Sequence, residues 1–240
     1  MSLTTWTPAA IVSKAAFFTE TICRLVVKNS RTSISKITDT HDELIQVENV
    51  ISQQVNNFTS EFRDLHPLMQ QPFIAKAYPG GSRFRGQFDG GVFYGANTFE
   101  TAAVERGYHH HLFVKNSPEL THSGATPFTF FTVKIAMNAI DVRKAPFKKE
   151  REVFENRSSY IDSQRFASLV RRAEVPGIKY ASVRNPGKGS CVAMLSPSGF
   201  ASKQPDSWDE NWSCLADSKG ARWFNNSLRS SIPPLIFTYE

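Results

Sequence analysis

Cysteine is scarce in this chain. There are three in 240 residues, Cys23, Cys191 and Cys214, far apart in sequence. That spacing supplies neither a disulfide framework nor a zinc-ligand set, and it suits a reducing compartment. Long apolar runs are missing too, and nothing approaches the roughly 20 residues that span a bilayer. The opening MSLTTWTPAAIVSKAAFF lacks the basic start and clean apolar block of a signal peptide. The expectation is a cytoplasmic protein that does not enter a membrane. Internal repeats and low-complexity segments are absent. So is an excess of acid: 28 Lys and Arg face 22 Asp and Glu, a net charge of +6. This balance suits an anionic partner, whether nucleic acid, a phosphorylated small molecule or an acidic protein, or else a plain solvated basic surface. No basic cluster is interleaved with aromatics, so direct nucleic-acid binding is not expected.

What is abundant is phenylalanine. Nineteen Phe and four Trp give ample apolar area for a core. The pattern reads as α+β. Residues 1 to about 65 read as helical, with Trp6, Ile11, Phe18, Ile22 and Leu25 at roughly helical spacing. Leu44, Val47, Ile51, Val55 and Phe58 form a second stripe behind N-cap candidates Asp39, Thr40 and Asp42. Texture changes near His66-Pro67. From Tyr78 the Gly-dense PGGSRFRGQFDGGVFYGA predicts loops and short strands. Val92 to Ala96 reads as a buried strand. A helix follows from about Thr98 to His111, capped by Asn97 with Glu100 completing a capping-box-like pattern. Phe128 to Ala136 alternates as a half-buried strand. A helix from about Ser163 carries Phe166, Leu169, Val170 and Ala173 and stops at Pro176-Gly177. Ile178 to Arg184 and Cys191 to Ser196 read as paired strands, and Leu235 to Tyr239 as a last one.

Several residues could carry chemistry. Glu105 lies on a helix face with Thr101, Ala102, Tyr108, His109 and Leu112. A carboxylate packed there costs several kcal/mol unless it is paired or lines a wet cleft. It is either a functional acid or a structural partner for Arg83, Arg85 or Arg106. Arg83 and Arg85 sit in GGSRFRG, where glycine lets backbone approach a ligand and guanidinium matches phosphate oxygens; two solvated arginines in a surface turn are the alternative. Tyr94 could equally be a core tyrosine. Ser182 has no GxSxG elbow and is not expected to be a nucleophile. His109, His110 and His111 are consecutive, and helical neighbours point about 100° apart, so a shared metal is not expected. GKGS at 187–190 lacks the spacing of a phosphate loop. Trp208, Trp212 and Trp223 read as core.

In order along the chain, GSRFRG, GVFYGA, ETAAVE and GIKYASVR resemble the RES domain family, named for Arg, Glu and Ser positions. The resemblance covers roughly residues 60 to 200. Arg83, Tyr94 and Glu105 are separated by equal steps of eleven, and Ser182 follows in a Gly-Ile-x-Tyr-x-Ser-Val-Arg context. The segments CRLVVKNSRTSISKITDT and LIQVENVI look like the helical leader of one branch. The resemblance implies an ADP-ribosyltransferase-like mixed β core: a helical segment at 1–65 packed on a catalytic domain at 66–240. It implies the toxin of a bacterial type II toxin–antitoxin pair that consumes NAD+ by cleaving the nicotinamide–ribose bond without a metal. The acceptor of the ADP-ribosyl group, whether water, phosphate or a protein side chain, stays open. The implied partner is an Xre-like helix-turn-helix antitoxin, and the N-terminal stripes permit a homo-oligomer. Carried over residue by residue, Glu105 stabilises the sugar cation and Arg83 neutralises the diphosphate, with Arg85 beside it. Tyr94 stacks on nicotinamide or ribose, and Ser182 hydrogen-bonds ribose or phosphate. Relatives often carry another Arg upstream. The nearest here is Arg63 in SEFRDLHP, while PFIAK offers Lys76 where some relatives have PFRY. A non-enzymatic RES-fold protein that docks an antitoxin or nucleic acid is the competing class, and a metal-dependent hydrolase using the His run a more distant one.

Overall fold

The computed structural model describes residues 6–28, 63–74, 80–187, 189–227 and 230–239. A short helix, α1 (Pro8–Lys14), is capped by the Thr7 hydroxyl, which accepts the Ala10 N–H at 3.2 Å. It leads at once into a twelve-residue strand, β1 (Ala16–Val27). This corrects the expectation of helix through the N-terminal segment. Phe18, Ile22 and Leu25 fit a helical step, but AFFTETICRLVV is rich in β-branched and aromatic residues. Every residue of β1 finds an antiparallel partner in β3 (Thr126–Asp141), from Ala16↔Ala139 to Val27↔Phe128. That long-range ladder outweighs local spacing. The predicted stripe from Leu44 to Phe58, and Lys76, lie outside the described residues.

Among the described residues, the remaining α-helices and strands are α2 (Pro67–Ile74), β2 (Phe93–Ala96), α3 (Phe99–Lys115), α4 (Arg151–Phe154), α5 (Ile161–Arg172), β4 (Gly177–Ala181), β5 (Ser190–Met194), β6 (Ser207–Ala216), β7 (Gly220–Asn225) and β8 (Leu235–Thr238). The strand order is β1-β2-β5-β4-β3-β6-β7-β8, and β1 also pairs with β3. Strands β1, β2, β5, β4 and β3 therefore form a closed circuit, joined between β1 and β2 at Cys23↔Ala96. β3 is long enough to pair with β4 at its end, Ala139 to Asp141, and with β6 at its start.

Alternation along β3 sends Phe131, Val133, Ile135 and Met137 into one apolar cluster, with Ile22, Phe93, Val192 and Met194, covered by Met69 and Phe73 of α2. The other cluster holds Phe84, Ala102, Ala103, Phe128, Phe154, Phe166, Ile178, Trp212 and Trp223. Helix α3 packs there, with the Trp223 indole donating to the Ala103 carbonyl at 3.0 Å. Trp212 and Trp223 are core residues as expected, but Trp208 is exposed and stands beside the His66 ring.

Candidate active site

Helix α3 begins one residue later than expected. Its N-cap is Thr98, whose Oγ1 accepts the Thr101 N–H at 3.1 Å. Asn97 is engaged elsewhere, because its backbone N–H and side-chain Oδ1 continue the β2–β5 pairing onto Ser190. Thr101 is buried, contacts the Thr98 hydroxyl at 2.7 Å and accepts the Asn185 side-chain amide at 2.9 Å. Gly189 passes so close that a Cβ there would lie 2.1 Å from the Thr101 hydroxyl. The β4–β5 connection is thereby pressed against the first turn of the helix.

One turn further along, Glu105 meets Ser182. The Ser182 hydroxyl donates to Glu105 Oε1 in a short hydrogen bond. The Ser182 hydroxyl oxygen accepts the backbone N–H groups of Asn185 at 3.0 Å and Arg184 at 3.3 Å. With its lone pairs filled from the backbone, the serine has one proton to give, and its direction is set. Glu105 is half-buried and forms no ion pair among the described residues. Its Oε2 remains available to accept. The structural alternative, a salt bridge to a nearby arginine, is not how this carboxylate is used: Arg106 instead lies over the Phe128 ring. Beside this pair, the Arg184 guanidinium carbon lies over the Tyr108 ring, 3.5 Å from its centroid, and the guanidinium donates to the Arg157 carbonyl at 2.7 Å. Tyr239 stands edge-on to Tyr108 and donates to the Val104 carbonyl at 2.8 Å.

The Gly-rich stretch forms a second group. Gly81 has φ +66° and opens a tight turn in which Ser82 and Arg85 exchange backbone hydrogen bonds. The Tyr94 hydroxyl fastens this turn, bonding Ser82 Oγ at 2.8 Å and accepting the Phe84 N–H at 3.0 Å. Burial raises the Tyr94 pKa despite those hydrogen bonds and the Arg83 charge. Arg83 is buried. Its Nη1 donates to the carbonyls of Phe154 and Asn156 at 2.7 and 2.8 Å, and its guanidinium carbon lies over the Tyr160 ring. Arg85 is buried as well and donates to the Asp89 carbonyl. Arg63 is exposed, and its backbone carbonyl accepts the Gln70 amide.

Glu105 and Ser182 are thus in direct contact, and Arg83 lies in a neighbouring turn, fastened by Tyr94 from β2, and makes no ion pair with Glu105. Tyr180 and Cys191, partners across β4 and β5, link the two groups. Burial raises both their pKa values; Glu105 adds to the rise and Arg83 opposes it. Sequence reasoning missed three residues. Asn185 and Thr101 tie the Ser182 loop to the helix. Arg24, in β1, donates to the Tyr94 carbonyl at 2.6 Å, while its buried Nε has no partner. Burial and the nearby Arg106 bring its pKa down to about 10, so it stays charged at neutral pH. An arginine in the run CRLVV was the available signal, once that run is a strand rather than a helix face. In the histidine run, His111 Nδ1 bonds the Asp217 carbonyl at 2.8 Å and His110 packs on Phe128. Among the described residues no group of three or more His, Cys, Asp or Glu could hold a metal ion.

The RES domain model matches residues 61–217, more than half of the chain. The chain belongs to the RES domain family. The matched span of this RES protein contains Arg63, Arg83, Tyr94, Glu105, Ser182 and Asn185, whereas Arg24 and Tyr239 lie outside it. A chain of the M. tuberculosis MbcT–MbcA toxin–antitoxin complex, solved by crystallography, is similar to the RES protein with a TM-score of 0.51 and 9% identity, over 85% of this chain and 90% of that one. At that identity the likeness is one of fold, and it agrees with the mixed α+β architecture. No curated protein sequence matches the chain.

Proposed function

We propose that this RES protein is an enzyme that consumes NAD+ by cleaving the nicotinamide–ribose bond, and that it is the toxin of a toxin–antitoxin pair. The observation that carries the reading is the Glu105–Ser182 contact: a half-buried carboxylate with no cation paired to it, one oxygen held by an oriented hydroxyl and the other available. Departure of nicotinamide leaves positive charge on the ribose, which an oxygen or other nucleophile of water, phosphate or a protein side chain then captures. A fixed carboxylate in a partly desolvated setting stabilises that charge far better than it would in water. Ser182 holds the acid in place and does not attack, since the lone pairs of its oxygen are taken by the backbone N–H groups of Arg184 and Asn185. The surroundings favour a substrate with phosphates: Arg24, Arg83 and Arg184 have no carboxylate partner among the described residues. Arg24 takes the role of the upstream cation, with its guanidinium against Tyr94. Kinship with the RES family and a fold like that of a toxin–antitoxin complex support an antitoxin as partner, of the Xre-like class.

The test is to incubate purified protein with NAD+ and follow nicotinamide release. Glu105→Gln keeps the shape and the hydrogen bond from Ser182 but removes the charge, so release should fall by about 100-fold or more with an unchanged thermal unfolding curve. Equal rates for wild type and variant would overturn the assignment.

A further inference from the structure

We infer that Arg184 is the residue that grips the diphosphate of the dinucleotide, and that Arg83, the expected candidate, serves to hold Arg184 in place. This rests on the reading of the site as one that takes NAD+. The two guanidiniums share one structural element. Arg83 draws in the carbonyls of Phe154 and Asn156 and lies over Tyr160; Arg184 donates to the carbonyl of Arg157. Segment 154–160 therefore runs past both, and Asn156 tightens it by accepting the N–H groups of Ser158 and Ser159. Arg83 is 8% exposed, with its Nη1 used twice. Arg184 is half-buried, and a single Nη2 bond is its only side-chain hydrogen bond to the protein among the described residues.

Geometry places Arg184 against the reacting pair. Its backbone N–H bonds the Ser182 hydroxyl, and its side chain lies on Tyr108, one turn of helix from Glu105. A guanidinium held over a ring on one side and by one carbonyl on another has little freedom left, so its remaining N–H groups form a fork suited to adjacent phosphate oxygens. Less conformational freedom is then lost on binding. Tyr239 and His111 back the Tyr108 ring and keep the stack from sliding.

The experiment titrates the wild type, Arg184→Met and Arg184→Lys with inorganic pyrophosphate by calorimetry, and measures kcat and KM for NAD+ alongside. Met keeps the packing on Tyr108 without the charge, and Lys keeps the charge without the fork. Pyrophosphate affinity should fall by about 30-fold or more in Arg184→Met and by less in Arg184→Lys, with the NAD+ defect expressed mainly in KM. A wild type that does not bind pyrophosphate, or an Arg184→Met protein that binds it equally well, overturns the inference. A loss of kcat in both variants at unchanged KM and unchanged pyrophosphate affinity does the same. If pyrophosphate binds through Arg184 but the wild type releases no nicotinamide, the NAD+ reading fails while the diphosphate site stands.

Discussion

Two neighbouring regions use the same kinds of side chain in opposite ways. At the turn of residues 81–86, Arg83 donates to the backbone carbonyls of Phe154 and Asn156 and Arg85 to that of Asp89, while the Tyr94 hydroxyl, reaching in from β2, accepts the Phe84 N–H and bonds the Ser82 hydroxyl. Where α3 meets the β4–β5 connection, side chains bond one another: Ser182 to Glu105, Asn185 to Thr101, Thr101 to Thr98. Side chains that satisfy backbone groups shape a loop. Side chains that orient one another leave specific atoms available, here Glu105 Oε2. The partner of a polar group, more than its residue type or its place in a motif, separates architecture from chemistry.

Substitutions can break this contrast. After Glu105→Gln, which should act on rate alone, the largest effect is expected from Arg83→Met. It strands two carbonyls at a buried position and should cost about 3 kcal/mol of stability, read as a lower urea midpoint. A variant as stable as wild type but inactive would move Arg83 into the chemistry. Ser182→Ala comes next. It leaves two backbone N–H groups without their acceptor and frees the carboxylate to turn, so it should cost about 1–2 kcal/mol and also slow nicotinamide release by about tenfold or more. A purely structural serine would show only the first. Thr98→Ala should be mildest, about 1 kcal/mol through loss of the helix cap, with KM unchanged; a raised KM would show that the first turn of α3 touches substrate.

Much of this was legible in the sequence, and the misreadings share a cause. Helices α3 and α5 and the β4–β5 pair are local elements, so their periodicity and turn residues were enough to find them. Strand β1 was not, because Phe18, Ile22 and Leu25 satisfy a helical step and the strand's partner lies more than 100 residues away. The same misreading hid Arg24, whose inward position exists only in the strand. Asn97 was a reasonable cap until Ser190 claimed its side chain. Glu105 and Ser182 were found separately, by face and by motif, but their contact spans 77 positions, and no pattern within either segment announces it. Asn185 and Thr101 carry no signature beyond a common polar side chain.

The closed circuit of strands has a consequence for the order of events during synthesis. β2, which carries Tyr94, lies between the first strand and β5, and β5 lies between β2 and β4. A nascent chain that has emerged only to the end of α5 holds Glu105 but neither Ser182 nor the strand that seats Tyr94 on its second side. The ring closes after residue 194 leaves the ribosome. Until β4 and β5 are both in place, Glu105 has no fixed hydroxyl to orient it.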